Sequence, residues 1–114
     1  MAISDASVKK HRSTIITGET YLAYYWSVIL YNKGNADGRV KVSVCAPPAG
    51  CQTNLGESDW VIVSPSSFRS VSGSTSESAS LPDLNQAVVN VWQDLGAQGS
   101  VLVDSWQVNI EPGY

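Results

Sequence analysis

The chain has 114 residues, of which 43% are hydrophobic and only 15% are charged, and its formal net charge is −3. This length is typical of one domain. The few cations do not form the clustered basic surface that nucleic-acid binding requires, and no stretch reaches the roughly 20 apolar residues of a membrane-spanning helix. We therefore expect neither a nucleic-acid partner nor membrane insertion.

The chain begins with a polar segment that ends in the basic run Lys9, Lys10, His11 and Arg12. We expect residues 1–11 to form a flexible N-terminal segment and residues 12–114 to form a single β-sandwich domain, because polar termini are often poorly ordered. The first strand is predicted over residues 12–21. The segment has no apolar leader region, as in a secreted protein whose leader is absent from the sequence.

The next stretches have the two-residue period of β-strands. Residues 22–32 are apolar on both faces, which predicts a central strand buried on both sides. Residues 32–38 form a turn with two glycines, in which capping by Asn and Asp is favoured over a calcium site because only one carboxylate is present. Residues 39–45 form a strand whose inward residues are Val40, Val42 and Val44.

Two cysteines, Cys45 and Cys51, enclose the sequence APPAG. Its two prolines and glycine favour a turn that brings the cysteines together. We expect a disulfide, with a pair of reduced thiols in a hairpin as the alternative. A disulfide indicates an oxidising compartment, so we expect an extracellular or cell-surface location. The ligand types and spacing do not match a metal site.

A run of alternating serines covers residues 70–80, with serine at every even position. The spacing matches the β period and predicts a strand over at least residues 66–74, placing Ser70, Ser72 and Ser74 on one flat face. Gly73 and Glu77 suit an edge strand. Beyond residue 74 an extended loop is the alternative.

Further strands are predicted over residues 59–64, 87–95 and 100–110, with a turn or a single helical turn at residues 81–86 and a hairpin turn at residues 96–99. About seven strands with intervening turns predict an all-β fold, specifically an antiparallel immunoglobulin-like sandwich. A small barrel or a jelly-roll fragment is the alternative.

The segment WSVILYNKGNADGRVKVSV (residues 26–44) resembles the B-to-C hairpin of immunoglobulin-like domains of the CARDB type, with Asn32, Gly34, Ala36 and Gly38 matching the family's turn pattern. The passage VIVSPSSFRSVS resembles the family's strand, Pro-Ser turn and second strand. The resemblance extends over residues 14–72. It implies an extracellular module for adhesion, spacing or assembly that has no catalytic residues.

Residue types that would support catalysis are sparse. His11 is the one histidine, and we expect it to be solvated in the N-terminal segment. Asp104 lies among apolar residues in the last predicted strand, where exposure to solvent at a bulge or a bond to a neighbouring strand is favoured over a catalytic role. No phosphate-binding glycine loop is present. We expect no enzymatic activity, no cofactor and no bound metal.

The aromatic residues supply the strongest binding signal, because interfaces and sugar-binding surfaces are rich in Trp and Tyr. We expect Trp26 and Trp92 in the core, and Trp60 and Tyr25 on a binding surface with Ser70, Ser72 and Ser74. The expected function is a structural or adhesion and assembly module, with a subunit of a surface filament as one form, that contacts other protein subunits through self- or hetero-assembly. The alternative is a carbohydrate-binding module that uses exposed Trp and Tyr to bind a polysaccharide.

Overall fold

The computed structural model describes residues 1–47 and 54–113. In those ranges the chain forms strands throughout, apart from turns and one 3₁₀ turn at Gly96–Gln98. The strands are β1 (Ala2–Thr14), β2 (Thr20–Asn32), β3 (Gly38–Cys45), β4 (Asn54–Glu57), β5 (Val61–Val63), β6 (Ser67–Ser74), β7 (Gln86–Asp94) and β8 (Ser100–Pro112). The all-β prediction is confirmed. Among the described residues, no helix is long and apolar enough to cross a membrane.

The strands form a single mixed sheet rather than the predicted antiparallel sandwich of about seven strands. Their order is β4-β3-β7-β8-β1-β2-β6, and β5 pairs with β3 on the same side as β4. The long strand β8 explains this difference. Its first part pairs antiparallel with β7, and its last three residues, Ile110–Pro112, pair parallel with Val8–Lys10 of β1. One strand therefore joins two groups of strands that a sandwich would keep in separate layers.

The N-terminal residues lie in a strand and not in the predicted flexible segment over residues 1–11. Strand β1 begins ten residues earlier than predicted, at Ala2, and pairs with β2 along its length. Ile3 and Val8 are buried in the core, while Lys9 is exposed. Two apolar side chains therefore reach the core from a strand that otherwise has a polar sequence. Residues 15–19, which were predicted within a strand, form the turn between β1 and β2.

The core lies on the inner face of the sheet. Alternate residues of β2 are buried, and the predicted inward orientation of Val40, Val42 and Val44 in β3 is confirmed by their complete burial. Strand β2 does have a neighbour on each side, but its second face is not buried as predicted, because Tyr25 is 48% exposed. The inner face therefore holds the core, and the outer face is available for contacts.

The sheet curls into a half-barrel, which brings β4 and β5 at one end of the sheet close to β2 near the other end. The indole Nε1 of Trp26 donates to the carbonyl of Leu55 in β4 over 3.3 Å, and the amide Nδ2 of Asn32 donates to the carbonyl of Val63 in β5 over 3.0 Å. Trp26 is 3% exposed, which confirms its predicted core position. These bonds tie β2 to the opposite end of the sheet.

Candidate contact surfaces

The serine run forms an edge strand, as predicted. Strand β6 spans Ser67–Ser74 and lies at one end of the sheet beside β2. Val71 is buried, whereas Ser70, Ser72 and Ser74 are exposed. These three serines lie opposite Ile29, Ser27 and Tyr25 of β2. Residues 75–77 form no strand, and Ser78 makes an isolated bridge to Leu22, so the extended-loop alternative describes the chain beyond residue 74.

The outer faces of β2 and β6 together form one surface, which we call the serine face and define by Tyr25, Ser27, Ile29, Tyr31, Phe68, Ser70, Ser72 and Ser74. Its centre carries small hydroxyl side chains. At one end Phe68 is 65% exposed and packs on Tyr31 with a ring-centroid separation of 4.6 Å. At the other end lies Tyr25. Aromatic side chains thus flank a small polar centre, an arrangement that suits contact with another protein.

The backbone of β6 has one paired and one open side. Thr75 N donates to the carbonyl of Tyr24 over 2.9 Å, and the register continues with Gly73 opposite Trp26. Because hydrogen-bonded and non-hydrogen-bonded pairs alternate in an antiparallel ladder, Val71 and Gly73 direct their backbone groups to β2. The amides and carbonyls of Ser70, Ser72 and Ser74 therefore point away from β2. No described strand pairs with that open edge.

Trp60 lies on a different part of the outer surface, in the segment between β4 and β5. It lines a cavity of about 420 Å³, which we call the tryptophan cleft and define by its described lining residues: Lys41, Ser43, Cys45, Asn54, Glu57, Trp60, Trp92 and Ser100. The structure brings Tyr25 together with the serines, but β3 of the cleft and β2 of the serine face are separated by β7, β8 and β1. The predicted binding surface is therefore two surfaces.

Trp92 is the cleft residue that sequence reasoning missed, since we predicted it in the core. It lies opposite Lys41 on the outer face, and its indole Nε1 donates to Ser43 Oγ over 3.3 Å. The signal was available in the alternation of β7, because Val89 and Val91 are buried and Trp92 follows on the other face. Trp92 and Trp60 line one cavity because of strand pairing that the sequence does not display.

Cations surround the Trp60 ring, and each has a carboxylate partner. The Arg39 guanidinium carbon lies 5.4 Å from the ring centroid, and Lys41 Nζ lies 5.1 Å from it. Arg39 also pairs with Asp94 at 2.5 Å, and Lys41 Nζ lies 3.7 Å from a carboxylate oxygen of Glu57. These four groups carry no net charge together. The cations hold the indole in place, since cation–π attraction acts within about 6 Å.

Asp104 and His11, the residues considered for catalysis, lie within the strands of the sheet. Asp104 Oδ2 accepts from the Ile3 amide over 2.8 Å, and its Oδ1 accepts from the Ser105 amide over 2.9 Å, so this carboxylate fastens the start of β1 to β8. His11 lies within β1 opposite Ala23 rather than in a mobile segment. Within the described ranges, no three His, Cys, Asp or Glu residues are grouped as metal ligands.

One carboxylate outside these surfaces has a perturbed pKa. Asp83 receives a hydrogen bond from Lys10, and Arg12 pairs with its other oxygen. The Lys10 hydrogen bond and then the charges of Lys10 and Arg12 lower the pKa of Asp83 below its ordinary value, against an opposing effect of desolvation. The pairs fasten the loop before β7 to β1.

The predicted disulfide involves a residue outside the described part of the chain. Cys45 is buried at the end of β3, where it is 2% exposed. Cys51 lies outside the described residues. The Cys45–Cys51 bond therefore stays a prediction.

Comparison with known proteins assigns no family. No family model matches the chain, and no curated protein matches it. Among solved structures, the chain is similar to β-glucosidase from Kluyveromyces marxianus in complex with glucose, with 14% identity and a TM-score of 0.35 over 93% of this chain and 14% of that one. The selenomethionine-labelled form of that β-glucosidase gives 13% identity and a TM-score of 0.34 over the same shares. Similarity at this level assigns neither a family nor an activity, and the CARDB-type resemblance stays a prediction.

Proposed function

We propose that this domain is a non-catalytic structural or adhesion module that acts outside the cell through protein–protein contacts, as in a subunit of a surface filament. Its first partner is a second copy of the chain, which pairs along the open edge of β6. The extracellular location rests on the predicted Cys45–Cys51 disulfide, because such bonds persist in oxidising compartments.

The observation that supports this proposal is the combination of an open edge and small outer side chains in β6. An exposed row of backbone amides and carbonyls accepts an added strand. The side chains beside that edge at Ser70, Ser72 and Ser74 are small, so they do not obstruct a neighbouring sheet. The sheet edge also lacks the lysines that commonly block edge pairing, since the charged residue of β6 is Arg69, which donates to the carbonyl of Ile62 over 2.8 Å.

A two-fold pairing of β6 with itself satisfies the open edge in both copies. A rotation axis at Val71 places Ser70 opposite Ser72 and Phe68 opposite Ser74 of the second copy. All of these residues direct their backbone groups to the open side, so they pair as hydrogen-bonded partners. Two-fold dimers are the commonest symmetric assemblies, and the same surface serves both copies. The pairing also extends the serine face across two molecules.

Size-exclusion chromatography with light scattering over a range of protein concentrations tests the proposal. The chain should change from monomer to dimer as concentration rises. Ser72→Pro removes an amide from the open edge without removing a bond to β2, so it should keep the fold and weaken the dimer. Ser72→Ala is the matched control, because it retains the amide and should dimerise normally. A parent chain that stays monomeric into the millimolar range, or a folded proline variant that dimerises like the parent, would contradict the proposal.

A further inference from the structure

We infer that the tryptophan cleft is a binding site for a neutral pyranose sugar, separate from the assembly edge on β6. Its volume of about 420 Å³ lies within the roughly 300–1,000 Å³ of small-molecule sites. The cleft lies on the outer face of β3 and β7, on the other side of β8 and β1 from the serine face. The cleft and the serine face share no residue.

The two indoles supply apolar contact area. Trp60 and Trp92 line the same cavity. Lys41 is the strand partner of Trp92, and its Nζ lies 5.1 Å from the Trp60 ring centroid. A pyranose has an apolar C–H face and a rim of hydroxyl groups. Indole rings bind the apolar face, because aromatic side chains offer a large rigid surface at low entropic cost.

The polar residues around the indoles match the hydroxyl rim of a sugar. Lys41 donates hydrogen bonds, Glu57 accepts them, and the hydroxyls of Ser43 and Ser100 do both. Lys41 Nζ and Glu57 Oε2 are 3.7 Å apart, which is longer than a hydrogen bond, so each group of this ion pair keeps the capacity to bond a ligand hydroxyl beside it. Such groups fix the orientation of a ligand that the aromatic rings hold.

The charge balance of the cleft favours a neutral ligand over an acidic one. Arg39 is paired with Asp94, and Lys41 lies near Glu57, so no cation is left without a nearby carboxylate in this group. An acidic sugar would bring its carboxylate close to Glu57 without gaining an unpaired cation. A neutral sugar avoids this repulsion and uses both partners as hydrogen-bonding groups.

Saturation-transfer NMR with cellotetraose, xylotetraose and mannotetraose at millimolar concentration tests the site. At least one of these neutral tetrasaccharides should receive saturation, and trigalacturonate should bind at least about tenfold more weakly. Trp60→Ala and Trp92→Ala should each weaken binding about tenfold or more. Trp106→Ala in β8 is the matched control, since it removes a partly exposed tryptophan outside the cleft.

The outcomes separate this inference from the assembly proposal. No saturation of any of the three neutral sugars, or equal binding by the folded Trp60→Ala variant and the parent, would overturn the cleft as a sugar site. Circular dichroism of each variant checks that the fold is retained. Ser72→Pro alters the β6 edge and should leave sugar binding unchanged, so failure of either proposal is visible without the other.

Discussion

Substituting Gly73 with alanine should destabilise the domain because Gly73 is in close contact with the Trp26 ring. A Cβ atom at Gly73 would lie 2.8 Å from Cη2 and 2.9 Å from Cε2 of Trp26, and closer still to Cζ2. Carbon atoms pack at about 3.5–4.0 Å, so the ring would have to move by roughly 1 Å. It has little room to do so, because it is buried and bonded to the carbonyl of Leu55.

The expected loss follows from two opposing effects. Overpacking of a core costs about 1–3 kcal/mol, and the lower entropy of an unfolded chain with alanine offsets about 0.4–1 kcal/mol of it. We expect Gly73→Ala to lower the free energy of unfolding by about 1–2 kcal/mol, measured by urea denaturation. Ser72→Ala, on the exposed side of the same strand, should stay within about 0.5 kcal/mol of the parent.

A double-mutant cycle identifies the ring as the cause. In a Trp26→Phe background the smaller ring leaves space for the methyl group, so Gly73→Ala should cost less there than in the parent. A Gly73→Ala variant as stable as the parent, or an equal cost in both backgrounds, would show that residue 73 does not pack closely against the Trp26 ring.

Three further predictions concern the loop before β7 and the predicted disulfide. Tyr24→Phe should lower the free energy of unfolding by about 1–3 kcal/mol, because the buried Tyr24 hydroxyl donates to the carbonyl of Pro82 over 2.6 Å and accepts from the Leu84 amide over 2.8 Å. Tyr25→Phe on the exposed face should change the free energy of unfolding by less than about 0.5 kcal/mol. Equal effects of the two substitutions would contradict the structural role of the Tyr24 hydroxyl. The lowered pKa of Asp83 means that its pairs stabilise the fold above the pKa of the unfolded chain and lose this effect as pH falls through the folded pKa. Asp83→Asn should therefore melt below the parent at pH 7 and approach it below about pH 4, and a difference that is constant with pH would argue against these ion pairs. Intact mass spectrometry should show a gain of two hydrogen atoms when the disulfide is reduced, and reduction should lower the free energy of unfolding by about 2 kcal/mol; an unchanged mass would rule out the Cys45–Cys51 bond.

The predictable part of the fold is the part that local alternation determines. In β3, the sequence Val40, Val42, Val44 places three buried residues on one face, and the structure has them there. The serine run shows the same principle, because its two-residue period fixed both the strand and the exposed face. A period of two is a property of each strand alone, so it is visible without knowledge of the neighbours.

The features that sequence reasoning missed depend on contacts between distant residues. Strand β8 changes partner from β7 to β1 near Ile110, and nothing in its own sequence marks that change. The basic residues Lys9 and Lys10 led to the prediction of a flexible segment where β1 lies, although Ile3 and Val8 reach the core. Likewise, Trp60 and Trp92 are 32 positions apart, and only the pairing of β3 with β7 brings them to one cavity.

Amide hydrogen exchange at β6, followed by NMR, shows whether this edge is open in the monomer and paired in the dimer. At low concentration the amides of Val71 and Gly73, which face β2, should be protected, whereas those of Ser70, Ser72 and Ser74 should exchange rapidly. As concentration rises, the three serine amides should become protected because a second copy pairs with them. Serine amides that are protected in the monomer, or that exchange equally fast at every concentration, would contradict an open edge that assembles.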